Sequence, residues 1–279
     1  RKIHNVVKEH VPNCLTVGGG PQFTSLNANE KYATRFFSKQ KNCDAYIVNQ
    51  GEKGFVELIK KYNEFNRDLE KLRSFAVAGS LVNDLKKNNK VHVGKDIGAL
   101  EDLNYIPSPY LNGLLDPFFN EAFIPVLETN RSCPYRCTFC AWGIGTQKLA
   151  KFDDERILKE IEYISERCKL TTTLMVADAN FGILERDSKF AAKMYEGHQK
   201  TGFPSYVFAQ WNKTRSDRII KTAKELKDIG VVGASVQSMN EDTLRAVKRK
   251  NLPLDEVIKM QKELGEFGKG KFFSELIIG

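Results

Sequence analysis

From Ala122 onward the chain sets five short apolar runs, FIPVLET, TTTLMVA, SYVFAQ, GVVGASV and FFSELII, one after another with amphipathic stretches between them. Apolar runs of this length predict strands, and the intervening stretches carry the 3.6-residue period of helices. In DDERILKEIEYISERC the acids fall in the first turn and Ile157, Ile161 and Ile164 share one face. In SDRIIKTAKELKDIG, Ser216 is placed to cap the start and Gly230 to close the end. Strand and helix alternating in this way dictate a parallel sheet that curls toward a barrel.

The first hundred residues alternate in the same sense but less regularly. CLTVGGG, a helix around Tyr32 to Ser38, DAYIV, and then Phe55, Leu58, Ile59 and Tyr62 at helical spacing predict an α/β domain with a doubly wound sheet. FAVAGSL and VHVG follow as a small hairpin at its end. The segment DLNYIPSPYLNGLLDPFF carries prolines at positions 107, 109 and 117 and reads as an ordered linker. The expected division is a first domain over 1–104, a linker over 105–121 and a second domain over 122–279. Both are expected to be cut short, because the chain opens without methionine in a helical stretch and stops directly after a strand-like run.

With 41% hydrophobic and 28% charged residues the composition is that of a packed globular protein. No apolar run approaches a membrane span and the first residues lack a secretory signal, so a cytoplasmic protein is expected. The 43 basic and 35 acidic residues leave a charge of +8, yet the lysines of KKYNEFNRDLEKLR and KTAKELKDIG are interleaved with acids. That is the pattern of a solvated surface and argues against a nucleic-acid patch.

Three of the six cysteines, Cys133, Cys137 and Cys140, fall within TNRSCPYRCTFCAWG directly after a predicted strand, while Cys14, Cys43 and Cys168 stand alone. A disulfide framework is not spaced like that. Three thiolates on one loop can ligate three irons of a cubane cluster and leave the fourth open to a substrate. A zinc site, which ordinarily wants a fourth Cys or His, stays open as an alternative through a ligand brought from afar, as does an electron-transfer cluster.

The spacing of Cys133, Cys137 and Cys140, with Phe139 before the last, resembles the signature of the radical S-adenosylmethionine (SAM) superfamily, and the resemblance runs from about Pro125 to Gly279. It implies a partial parallel (β/α)6 TIM-like barrel whose loop after the first strand holds a 4Fe-4S cluster. It also implies reductive cleavage of SAM to a 5'-deoxyadenosyl radical that abstracts hydrogen from a small-molecule substrate, with an electron donor such as flavodoxin or ferredoxin. In ADANFGIL the resemblance places Asp178 and Asn180 near the methionine end of SAM, though such residues also shape strand-to-helix turns. In SVQSMNEDTLRAVKRKN it places Gln237 and Ser238 at the barrel mouth and Arg249 on the following helix. A capping neighbourhood around Asn240 and a solvated surface cation are the competing readings of Ser238 and Arg249. Glu275, a lone acid among Phe273, Leu276 and Ile277, must face a polar space or find a partner. Trp142 and Gly143 follow the cluster loop near where the family meets adenine. Gln210, Trp211 and Asn212 end the third strand, facing the lumen or packing.

VGGGPQF, DAYIVNQGEKGFVELI and IPSPYLNGLLD resemble the later part of a Rossmann-like cobalamin-binding domain joined upstream of a radical SAM core. The resemblance implies cobalamin as a further cofactor, a C-methyltransferase activity, and Gly18, Gly19 and Gly20 beneath the cofactor's nucleotide tail. The Asp-x-His-x-x-Gly segment usual in such domains does not occur here. A transfer-RNA methylthiotransferase would fit the basic charge but usually carries further cluster cysteines, which are not found.

Overall fold

The computed structural model describes residues 2–140, 142, 148–265 and 272–277. The chain divides into two units, with the boundary between Glu101 and Asp102.

The first unit runs α1 (Lys2–His10), β1 (Val17–Gly18), α2 (Glu30–Lys39), β2 (Ala45–Ile47), α3 (Gly51–Glu64), α4 (Leu69–Arg73), β3 (Ser80–Asp84), α5 (Leu85–Asn88) and β4 (Lys90–Val93). Its four strands lie in chain order. Because side chains alternate across a strand, Tyr46 and Leu81 meet Phe23 and Phe37 on one face while Ala45, Ile47 and Val82 meet Leu58 and Leu72 on the other. Helices therefore cover both faces, as expected. The expected doubly wound parallel sheet is corrected in one respect: β1 and β2 are parallel, but β2, β3 and β4 run antiparallel, the hairpin supplying half the sheet. Asn29 begins α2 by accepting a hydrogen bond from Tyr32 N at 3.1 Å. Close approach fixes α3, since a Cβ on Gly54 would stand 2.7 Å from the Gly79 carbonyl oxygen. The same orientation turns Phe55 outward, against the expectation that it faces the core.

The second unit begins with the proline-rich segment, which is no free linker. Leu103 is buried, and the Tyr110 phenol donates to Val126 O at 2.8 Å while accepting from Val126 N at 3.0 Å. The edge of the following strand is thereby satisfied by one side chain. The elements are β5 (Val126–Leu127), β6 (Asn130–Arg131), β7 (Ala150–Lys151), α6 (Asp154–Arg167), β8 (Thr173–Phe181), α7 (Asp187–Thr201), β9 (Tyr206–Trp211), α8 (Ser216–Leu226), β10 (Val232–Gly233), α9 (Glu241–Ala246), α10 (Leu254–Gly265) and β11 (Phe272–Phe273). Strands β5, β8 and β9 form a parallel sheet. A parallel bridge from Val207 to Gly230 leads on toward β10, which pairs in parallel with β11. The five expected strands thus succeed one another in parallel, with α6, α7 and α8 among the crossovers. Ile157, Ile161 and Ile164 are fully buried on one face of α6. The start of α8 differs from expectation: Asn212 Oδ1 accepts from Thr214 N and Arg215 N, both at 3.0 Å, and the Ser216 hydroxyl instead donates to Glu256 at 2.6 Å. Its end differs too, because a tight turn over Lys227–Ile229 intervenes before Gly230. Among the described residues no helix is long and apolar enough to cross a membrane.

Candidate cluster and cofactor site

The three cysteines lie on the loop that leaves β6, and all six cysteines of the chain are free thiols. Two contacts shape the loop: Cys140 N donates to Cys137 O at 3.0 Å, and Thr138 N donates to Val247 O at 3.0 Å just past α9. Cys133 and Cys137 are buried and Cys140 is partly open.

Among the described residues, an amide donor meets Cys133 and a cation meets Cys137. Asn180 is fully buried and its amide Nδ2 donates to Cys133 Sγ at 3.1 Å, while its Oδ1 accepts from Lys213 Nζ at 3.0 Å. The Lys213 ammonium also sits 5.6 Å from the centre of the Tyr135 ring, whose hydroxyl bonds Thr214. Burial pulls the Lys213 pKa below its ordinary value, and the thiols of Cys133, Cys137 and Cys140 work against that. Arg249, which lies beyond α9 and is only 6% exposed, brings Nη1 to 4.0 Å from Cys137 Sγ; its Nε donates to Asn251 at 2.8 Å and its Nη2 to Ser235 O. The solvated-cation reading of Arg249 is thereby corrected.

This donor set fits a cluster. An anionic cluster would find the Asn180 amide N–H beside Cys133, the Arg249 guanidinium beside Cys137 and the Lys213 ammonium behind Asn180. A single tetrahedral zinc, at about 2.3 Å from each sulfur, would gather its donors tightly. Among the described residues no three His, Cys, Asp or Glu side chains are gathered to hold one metal ion.

Asp178 lies in β8 beside the start of the cysteine loop. It is 1% exposed, and its carboxylate accepts from Thr129 N at 2.7 Å, Asn130 N at 3.1 Å, Asn130 Nδ2 at 2.7 Å and the Thr129 hydroxyl. Those donors engage both oxygens, so Asp178 ties β8 to the strand that launches the cysteine loop. Burial pushes its pKa up to about 7 against those hydrogen bonds. Both Asp178 and Asn180 lie where the β8/β9 register is irregular, between Val176 and Phe181. Such irregularity re-aims side chains next to sites.

At the ends of β10 and β11, Glu275 accepts from Ser235 Oγ at 2.6 Å and from Gln237 Nε2 at 3.3 Å. Gln237 has a left-handed backbone, φ 63°, held by bonds from its N to Glu275 O and from Ile277 N to its O, both 2.8 Å. Glu275 is exposed and lies past β11, so it finds its partners there rather than inside a strand. Ser238 accepts from Asn240 N at 3.2 Å, and Asn240 caps α9 through Thr243 N, which is the capping reading of Ser238. Phe139 and Trp142 are exposed, at 47% and 59%, and Gly143 lies outside the described residues. Trp211 packs on Phe181 and donates to Val231 O at 2.7 Å, so it is packing, while Gln210 is exposed. Gly18, Gly19 and Gly20 belong to the first unit, Gly18 ending β1 and the other two following it. A Cβ on Gly18 would meet the Tyr46 ring at 2.9 Å, Gly20 takes φ 108° and its carbonyl accepts from Tyr46 at 3.0 Å, and Gly19 borders open space.

Sequence reasoning missed Lys213, Tyr135, Ser235 and Asn251. The one available signal was position: Lys213 follows the third strand's end directly.

A parallel succession of α/β units with a three-cysteine loop at the first strand's end defines a class of iron-sulfur enzymes, and the family model of the radical SAM superfamily matches residues 127–279. The chain belongs to the radical SAM superfamily. It is 33% identical, over an alignment taking in all of this chain, to the cobalamin-dependent radical SAM methyltransferase TokK of Streptomyces tokunonensis. It is 31% identical over its whole length to 2-(S-pantetheinyl)-carbapenam-3-carboxylate methyltransferase of Streptantibioticus cattleyicolor. The chain spans 40% of the length of each of these relatives. Among solved structures, 99% of the chain superimposes on 38% of the cobalamin-dependent SAM radical enzyme OxsB at a TM-score of 0.65 and 18% identity. All of it superimposes on 54% of the radical SAM methyltransferase TsrM from Kitasatospora setae, at 0.63 and 12%. These two likenesses bear out the mixed α/β fold with its parallel sheet.

Proposed function

We propose that the chain is part of a cobalamin-dependent radical SAM methyltransferase acting on a small-molecule biosynthetic intermediate. The observation that carries this is the loop of three free cysteines, on which Cys133 meets Asn180, itself held by Lys213, and Cys137 meets Arg249. Cys133, Cys137 and Cys140 would hold a 4Fe-4S cluster through three irons, leaving one open. When bound, the cluster supplies the electron that cleaves SAM to a 5'-deoxyadenosyl radical, which abstracts hydrogen from substrate.

The chain's own residues bind and orient. Gln237, Glu275 and Ser235 offer donors and acceptors in one group at the strand ends, suited to hydroxyls or an ammonium of SAM. Arg249 is linked to Ser235 O, and Phe139 and Trp142 offer exposed rings to adenine. The succession of parallel strands supports a partial (β/α)6 barrel for 122–279. The α/β layers of 1–104, with Gly19 beside open space, support a cobalamin-binding domain. The electron would come from a flavodoxin- or ferredoxin-class donor.

Anaerobic incubation of the intact protein, loaded with iron and sulfide, with dithionite and SAM tests the activity. Chromatographic detection of 5'-deoxyadenosine from wild type, and its loss in Cys137→Ala, is expected; equal amounts from both would refute the assignment.

A further inference from the structure

The chain from Cys133 through Asn180 to Lys213 has more order than a packing contact requires. Asn180 is wholly buried, so neither end of its amide is free to exchange partners with water. Its orientation is fixed chemically: the reverse placement would put the amide oxygen on the sulfur and the NH2 group against an ammonium, two repulsive contacts. An ammonium on the amide oxygen draws electron density through the amide and makes the N–H on Cys133 a stronger donor. Lys213 is in turn held over the Tyr135 ring, and Tyr135 lies between two of the cysteines. Among the described residues neither Lys213 nor Arg249 is paired with a carboxylate, so the positive charge is directed at the loop.

We propose that Asn180 and Lys213 are positioning residues that set the reduction potential of the cluster, through a polarised amide hydrogen bond on the Cys133 sulfur. This rests on the reading that the three cysteines hold the cluster. Reduction adds one electron and no bond changes; a hydrogen bond and a nearby positive charge stabilise the added negative charge, so they raise the potential.

The test is a dithionite redox titration of the intact, reconstituted protein followed by electron paramagnetic resonance, with iron and sulfide counted for each variant. Lys213→Met and Asn180→Leu are expected to keep the cluster and titrate at a more negative potential than wild type. Lys213→Arg, which keeps the charge, is expected to stay near wild type. Wild-type potential in Lys213→Met overturns the proposal. So does loss of the cluster from both Lys213 variants, which would make the lysine a structural strut only. If Asn180→Leu alone fails to load, the two lysine variants still decide. A wild-type protein that takes up no cluster defeats the functional reading instead, and the two failures are distinguished by that control.

Discussion

Asp178 and Asp187 are buried acids whose pKa values stand at about 7 and about 6, pushed up first by burial and opposed by hydrogen bonds. Unfolded, both return to the ordinary 3.8. Between those values the folded chain holds protons that the unfolded chain releases, so their stabilising share is complete below pH 3.8 and is lost as pH rises to about 7. Urea unfolding of the metal-free protein should therefore show a midpoint that falls from pH 5 to pH 8 on account of these groups. Asp178→Asn should flatten that fall, and an unchanged slope would remove Asp178 as its source. The cysteines were legible because three thiols at this spacing have few other uses. The role of Asp178 was not, because its partners Thr129 and Asn130 lie 49 and 48 residues upstream and nothing local announces them. Burial of Arg249 was equally invisible: a cation in AVKRKN reads as a surface charge until the loop containing Cys137 folds over it.

At the scale of elements, helices were legible wherever one apolar stripe had to find a core. Ile161 is fully buried on α6, and Ile161→Ala should cost about 2–5 kcal/mol by loss of buried surface and the cavity left behind. A denaturant-unfolding difference under about 1 kcal/mol would mean that the site collapses freely. Gly54→Ala should cost about 1–3 kcal/mol, because the new methyl would press on the Gly79 backbone and lever α3 off the sheet. An unchanged unfolding midpoint would contradict that close approach. The direction of β3 and β4 was not legible, since alternating apolar runs look alike in parallel and antiparallel pairs. Nor was the attachment of the proline-rich segment, which depends on one phenol bracketing Val126.

For the whole molecule, the division into two units matches the two successive patterns of the sequence. Many of the 43 basic residues are matched by acids, as in the ion pairs of Lys193 with Glu162 and Lys200 with Glu196. Exposed pairs of this kind contribute little to stability. The claim on which the rest depends is that Cys133, Cys137 and Cys140 carry a cluster with one iron open to SAM. Electron paramagnetic resonance of the dithionite-reduced, reconstituted protein, recorded with and without SAM, measures that directly. A cluster signal that changes when SAM is added, and that Cys137→Ala loses, is the expected result. A folded protein with no cluster signal, or with one indifferent to SAM, would contradict the account.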